Sequence, residues 1–235
     1  MNFLKPFIDR LYGIARPAET LDGYENPELI EMVYQKTLAY KPVGTWPDMV
    51  GASSVLDFGG ACGLHYKMAT QRSPGIRWAV VETPAMVARA SGLATDKLRF
   101  FTDIADAADW LGPIDVMHSN GALLYVPDPM STLSRLCRLG APTMLWERMN
   151  LSRHRTEVKT QISRLTDNGP GRAPRGSANK LVRYTVTRIP ESTFIKCHVG
   201  SGPRLSHNKA LKIVRMDSKA NVALVDVKGH QFGPG

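Results

Sequence analysis

The sequence is poor in cysteine, has no long apolar run and, over its last third, carries few acids. Its three cysteines, Cys62, Cys137 and Cys197, are scattered and odd in number. With no C-x-x-C pair they exclude a zinc ribbon and a disulfide framework, and a reducing, cytoplasmic setting is the simplest expectation. No apolar stretch approaches the roughly 18 residues of a membrane span. No apolar segment with a small-residue cleavage site opens the chain, so neither a transmembrane helix nor a signal peptide is expected. The shortage of acids is local. Residues 151–235 carry 16 Lys/Arg against 5 Asp/Glu, whereas residues 1–150 are nearly balanced, so the whole net charge of +9 falls in the last third. That region suits an anionic partner such as nucleic acid, a glycan, a phosphorylated substrate or a membrane surface, or else it is a solvated basic face.

The most informative stretch that is present is Ser53-Ser54-Val55-Leu56-Asp57-Phe58-Gly59-Gly60-Ala61-Cys62-Gly63-Leu64. Val55, Leu56 and Phe58 give the apolar character of a buried parallel strand. Gly59, Gly60 and Gly63 permit a sharp turn and close approach of a ligand to the backbone, and a helix follows from about Leu64. A dinucleotide site has the spacing G-x-G-x-x-G and places pyrophosphate at the helix start. Here the spacing is G-G-x-x-G, and Asp57 ends the strand, where a carboxylate sits badly beside pyrophosphate. It suits a cationic ligand with an amino group and a sulfonium, namely S-adenosylmethionine. A plain strand–turn–helix of an α/β domain has the same local pattern.

The rest of the chain sets this turn in a repeating α/β frame. Residues 2–15 place Phe3, Leu4, Phe7, Ile8, Leu11 and Tyr12 at helical spacing. Asp22-Gly23-Tyr24 is a turn, Asn26-Pro27 caps a helix to about Leu38, and residues 41–52 form a linker. Residues 1–52 are thus a helical lead-in. Further strands are expected at 76–81, 98–101, 114–118 and 143–146, with helices between them. That order implies a Rossmann-like, doubly wound, mostly parallel sheet over residues 53–150.

Ligands bind at the carboxyl ends of such strands, so the polar residues there are the candidates. Glu82, ending the second strand, can accept both ribose hydroxyls of an adenosine, or is a surface acid. Asp103 can accept from an adenine amino group and Ile104 can lie against the ring. Ser119 and Asn120 follow the fourth strand, where methyl donor and acceptor would meet. The cofactor set is therefore Asp57, Gly59, Gly60, Ala61, Gly63, Glu82, Asp103, Ile104, Ser119 and Asn120. The segment His118-Ser119-Asn120 is not the N/D-P-P-Y/F motif that goes with amino-group methylation of bases. It has no acidic cluster, so no metal is expected. No catalytic residue stands out. His118, His65, His154 and His198 are candidate bases, and Tyr125 and Arg148 are candidates to position an acceptor.

Beyond residue 150 the pattern changes. Residues 165–177 are a turn-rich loop, residues 181–189 alternate as a strand, and residues 194–198 read as a short strand. Residues 211–216 and 222–227 form an antiparallel hairpin at the sheet edge. Residues 151–205 would then be an insertion over the substrate side of a basic C-terminal segment, 151–235.

The D-F-G-G-A-C-G run resembles the D/E-x-G-x-G-x-G signature of class I S-adenosylmethionine-dependent methyltransferases, with Ala61 where their second glycine falls. More narrowly, the chain resembles a family of bacterial methyltransferases whose substrates are not characterised. The likeness lies in residues 55–66, 78–84, 118–125, 146–149 and 160–171. It implies a Rossmann-like methyltransferase fold and S-adenosylmethionine binding, and it implies no substrate. The expectation is methyl transfer to a small-molecule, anionic or glycan-type acceptor. The alternatives are a non-catalytic binding or scaffold protein of the same fold, and a nucleic-acid-binding protein using the basic third. A nicotinamide oxidoreductase is disfavoured by Asp57.

Overall fold

The computed structural model describes residues 19–42, 51–178 and 180–198 with their side chains. It also describes the rest of a helix to residue 200 and the backbone of two strands, 212–216 and 222–226. The helix expected over residues 2–15 and most of the linker expected over 41–52 lie outside the described residues.

A seven-stranded sheet runs through the molecule. In chain order its strands are β2 (Ser54–Phe58), β3 (Arg77–Val81), β4 (Leu98–Phe101), β5 (Val116–Asn120), β6 (Thr143–Glu147), β9 (Lys212–Met216) and β10 (Val222–Asp226). Their spatial order is β10-β9-β6-β5-β2-β3-β4. The five strands from β2 to β6 are all parallel, β9 continues parallel to β6, and β10 closes the edge antiparallel to β9. The fold is therefore the Rossmann-like α/β arrangement with an antiparallel C-terminal hairpin. Its central strands are apolar on both faces because helices cover both.

On one face, Ile104, Ala107 and Leu111 of α4 (Ile104–Leu111) pack with Leu133, Leu136 and Cys137 of α5 (Pro129–Cys137) and Phe194 of α6 (Glu191–Gly200). Beneath them lie Leu56, Phe58, Ala79, Val81, Met117, Met144 and Trp146. On the other face, Ala69 of α2 (Leu64–Ala69) covers Val55, Trp78, Val80, Val116 and Leu145. Each large side chain buried this way contributes about 1.5–3 kcal/mol.

A second, three-stranded sheet has the order β1-β8-β7, from β1 (Thr20–Asp22), β7 (Glu157–Arg164) and β8 (Leu181–Arg188). With α1 (Pro27–Ala39) it forms a cap over the turn beyond β2. Asn26 caps α1 by accepting from the Glu28 N–H at 3.0 Å, with Pro27 in the first turn. Leu29, Ile30, Met32 and Val33 of α1 share one core with Val182 and Tyr184 of β8 and Cys62 of the turn. Met86 and Ala90 of α3 (Pro84–Ala90) complete it. Lys67 of α2 fastens the cap. Its Nζ donates to the carbonyls of Thr37, Leu38 and Tyr40 at 3.2, 3.2 and 2.6 Å, satisfying the open C-terminus of α1.

Two sequence expectations are corrected. Residues 194–198 are not a strand but part of α6. Phe194 and His198, one helical turn apart, both face Trp146, a spacing that a strand does not provide. Strand β5 runs two residues later than expected, because Asp115 lies before it and accepts from the Ser53 and Ser54 N–H groups. Ser119 and Asn120 therefore belong to the strand itself. No helix among the described residues is long and apolar enough to cross a membrane.

Candidate functional site

The chain runs from β2 to β3 and β4 on one side and then crosses to β5 on the other, so the sheet's switch point lies between β2 and β5. A crevice beyond the carboxyl ends at that point is where open α/β sheets bind ligands. The residues gathered there are the glycine turn, Glu82, the ends of β5 and β6, and the start of α2.

The glycines of the turn are demanded by the protein's own packing. A Cβ on Gly59 would overlap Ala122, one on Gly60 would overlap the Asp57 carboxylate, and one on Gly63 would stand 3.3 Å from Leu98. Ala61 holds a left-handed backbone, φ 48°, that favours glycine. Its N–H donates to Glu82 Oε1 at 3.0 Å, while Glu82 Oε2 accepts from the Thr83 N–H at 2.9 Å. Glu82 thus bridges the turn after β2 and the start of α3, and it remains half-buried. Burial pushes its carboxyl above the usual range, against the two backbone hydrogen bonds.

Under the turn lies a polar relay on the α2 face of the sheet. Asp57 and His118 are register partners and both are fully buried. His118 Nδ1 stands 2.7 Å from Asp57 Oδ1, and Nε2 stands 3.7 Å from Glu147 Oε2. Trp78 Nε1 donates to Asp57 Oδ2 at 3.1 Å, and His65 Nδ1 lies 3.7 Å from the same oxygen. Burial disfavours a charged His118, but the Asp57 carboxylate, helped by Glu147, outweighs it and raises the imidazole to about 9. Burial opposes ionisation of Asp57 as well, yet the His118 charge holds its carboxyl well below the ordinary range. Glu147 is pulled down in the same way against burial.

The potential ligand atoms of Asp57, His65 and His118 fall within 4.8 Å of one another. The 2.7 Å Asp57–His118 separation is that of a charge-assisted hydrogen bond. Two ligands on one tetrahedral zinc, with bonds of about 2.0 Å, stand about 3.3 Å apart. The Asp57–His118 pair shares a proton.

The relay reaches the surface through His65, Asn120 and Arg148. Arg148 Nε donates to Asn120 Oδ1 and its Nη2 to the Asn120 carbonyl at 3.4 Å. This turns the Asn120 amide nitrogen toward His65 Nε2, 3.3 Å away, so Nε2 is the accepting nitrogen. Arg148, exposed and at the end of β6, has φ 50°. It and Ala61 are the two non-glycine residues with positive φ among the described residues, and both follow the carboxyl ends of sheet strands. Backbone strain of that kind costs roughly 1–3 kcal/mol and collects at functional sites.

Other candidates lie elsewhere or are otherwise engaged. Asp103 caps α4, accepting from the Ala105 N–H at 2.6 Å, and its second oxygen pairs with Arg135 at 2.6 Å. Ile104 is buried in the core beneath it. Ser119 is fully buried, and its hydroxyl has no hydrogen-bond partner among the described residues. His198 accepts from Trp146 Nε1 at 3.0 Å and donates to the Phe194 carbonyl, a structural role inside the core. His154 is exposed in the segment before β7. Tyr125 lies beside the crevice in a three-tyrosine cluster, its ring 5.0 Å from Tyr24 and 5.9 Å from Tyr184.

Asp57, expected to meet a cationic ligand, lies fully buried and meets His118 instead of the surface. The carboxylate is sealed beneath Gly60 and neutralised by His118, so it neither repels a pyrophosphate nor attracts a sulfonium by itself. Sequence reasoning missed Glu147 and the pairing of Asp57 with His118. The available signal was three polar residues inside otherwise apolar strands.

No protein-family model and no curated protein matches the chain. Solved structures do match. One is the S-adenosylmethionine-bound amino pentose methyltransferase CalS10 from Micromonospora echinaspora, at 14% identity and a TM-score of 0.43, covering 91% of this chain and 92% of that one. Another is the sugar N-methyltransferase KedS8 from a Streptoalloteichus species, at 15% identity and a TM-score of 0.40, covering 90% and 86%. A third is the N-terminal domain of EvdMO1 with S-adenosylhomocysteine and D-fucose, at 17% and 0.39, covering 84% and 86%. The chain is structurally similar to S-adenosylmethionine-dependent methyltransferases at low sequence identity, and the likeness is one of fold.

Proposed function

We propose that this protein is an S-adenosylmethionine-dependent methyltransferase acting on a small-molecule, anionic or glycan-type acceptor. The observation that carries the reading is Glu82. A half-buried acid at the end of β3 clamps the glycine turn at the switch point, where such an acid accepts the ribose hydroxyls of an adenosine. Charge supports a cationic ligand over a pyrophosphate. Asp57 and Glu147 both face His118, whereas Glu82 is held by backbone N–H groups and keeps its charge for a ligand. The helix after the turn, α2, has six residues, too short to give the dipole a pyrophosphate site uses.

In this reading residues 53–150 hold the cofactor through Glu82 and the backbone of residues 59–63. The cap formed by α1 and the β1-β8-β7 sheet shields the reaction from water. The cofactor, when bound, supplies a methyl group already activated by a sulfonium. The chain's own residues then hold the acceptor in line. Arg148 offers its guanidinium at the rim to a carboxylate, phosphate or sugar hydroxyl. His65 Nε2, once released by Asn120, takes the proton of an acceptor hydroxyl or amine.

Calorimetric titration with S-adenosylmethionine, S-adenosylhomocysteine and NAD tests the reading. Saturable binding of the first two and not of NAD, followed by labelled-methyl transfer to members of a sugar and small-acid panel, is the expected result. Binding of NAD alone, or of none of the three, overturns it.

A further inference from the structure

Strand β7 is the outer edge of the cap sheet. It pairs with β8 along all eight residues, from Glu157 opposite Arg188 to Arg164 opposite Leu181, without a bulge. No strand lies on its other side among the described residues. It contains no proline or glycine. An uninterrupted edge of this length offers a row of backbone donors and acceptors to another strand.

Its side chains narrow the choice of partner. Val158 is 67% exposed and Ile162 57%. Both share with Thr160 the face that carries Arg183, Thr185 and Thr187 of β8, opposite the buried Val182, Tyr184 and Val186. Lys159, the kind of residue that guards an edge, is drawn back along its own strand, with Nζ 2.9 Å from Glu157 Oε2.

We propose that β7 pairs antiparallel with β7 of a second copy of this chain, about a two-fold axis at Thr160, joining the two cap sheets into one of six strands. Such an axis keeps like faces together, so only registers centred on a residue are open to it. Centred on Thr160, Val158 lies opposite Ile162 of the second copy and Ile162 opposite its Val158. Lys159 then meets Gln161, and Glu157 meets Ser163. Both exposed apolar residues find apolar partners, and no like charges lie directly opposite. Moving the centre to Lys159 sets two lysines face to face. Moving it to Gln161 sets Val158 against Arg164. The register is thus selected by the strand's own sequence. A single strand pair buries less than the roughly 1,600 Å² of a standard stable interface, so the dimer is reversible and grows with concentration. The inference is independent of the methyl-transfer reading.

Sedimentation velocity across a concentration series tests it, together with cysteine trapping. At the two-fold centre the facing Cα atoms are about 4.5–5.5 Å apart, within disulfide reach. Thr160→Cys is expected to cross-link as a dimer under mild oxidation. The unsubstituted chain and Thr185→Cys, on the same face of the neighbouring strand, are expected not to. The Val158→Lys/Ile162→Lys variant changes exposed residues only, keeps its circular dichroism, and is expected to stay monomeric. A chain that remains monomeric throughout, with no trapping at residue 160 beyond that of Thr185→Cys, assigns the edge to another occupant and overturns the proposal. So does a dimer that survives the double lysine variant and is not trapped at residue 160.

Discussion

Asp57 and Glu82 end neighbouring strands of one sheet and read alike in the sequence, yet the structure gives them opposite environments. Asp57 lies wholly below the glycine turn, ionised and paired with His118. Glu82 lies beside the turn, with burial raising its carboxyl and two backbone N–H groups holding it. The first carboxylate is matched by a buried cation, and removing it strands that cation. The second is matched by dipoles only, and its charge is available to something outside the chain. Position at a strand end therefore marks a carboxylate as a site candidate, and the groups packed around it decide whether it serves the fold or a ligand.

The sharpest way to break this distinction is to remove the Asp57 charge. Asp57→Asn leaves His118 buried with Glu147 at 3.7 Å as its nearest carboxylate. Breaking a buried pair costs about 3–5 kcal/mol, read as a fall in the urea midpoint. Asp57→Asn/His118→Asn, which removes both charges, is expected to recover part of that loss. A single variant as stable as the parent, weakened only in ligand binding, would give Asp57 the role assigned here to Glu82.

The same pair sets a pH dependence of similar size. The His118 pKa is raised in the folded chain from an ordinary 6.5 to about 9. Its stabilisation is complete below pH 6.5 and is lost as pH rises through about 9, by about 3 kcal/mol in all. Asp57, Glu147 and His65 are the titratable groups facing it. Asp57, held low, keeps its contribution until strongly acid pH. Urea midpoints measured from pH 6 to 10 should therefore decline, and His118→Gln should flatten the decline. A flat profile for the parent chain would mean that His118 is neutral in the fold.

Much of this arrangement was legible in the sequence, and what was not has physical reasons. Central parallel strands announce themselves as short apolar runs, and the turn after β2 announces itself by its glycines. The reason for those glycines was hidden. Gly59 makes room for Ala122, a contact that exists only once β5 lies beside β2, and Gly60 makes room for a carboxylate of Asp57 that His118 of β5 holds in place. The Asp57–His118–Glu147 relay was hidden for the same cause, since it joins three strands far apart in the chain. The basic last third also reads differently in three dimensions. Lys180 pairs with Glu19 and Glu28, and Arg183 pairs with Asp22, so part of the excess is met by acids of the N-terminal segment. Composition cannot reveal that parallel pairing of β1 with β8 brings those charges together.

Glu82 supplies the next test, smaller and of a different kind. Glu82→Gln keeps the side chain's shape but removes the charge, and burial already disfavours that charge. Stability should fall by about 1–3 kcal/mol, because the amide nitrogen cannot accept one of the two backbone N–H groups that Glu82 holds. S-adenosylmethionine affinity should fall about tenfold, the worth of about one charge-assisted hydrogen bond. The calorimetric affinity set beside the urea midpoint separates the two effects. A large stability loss with unchanged affinity would make Glu82 a clamp of the turn and nothing more.

The smallest effect expected is at Ala61, where the turn carries a side chain in a left-handed conformation. Ala61→Gly relieves about 1 kcal/mol of backbone strain. Part of that gain is offset by the greater freedom of glycine in the unfolded chain, so a net rise in the melting temperature of about 1–3 °C is the expected outcome. The Ala61 methyl also packs against the core shared by α1, α3 and β8. If that contact outweighs the strain, the melting temperature falls instead. The sign of the shift thus decides whether the turn is held in place by the cap above it or tolerated there at a cost.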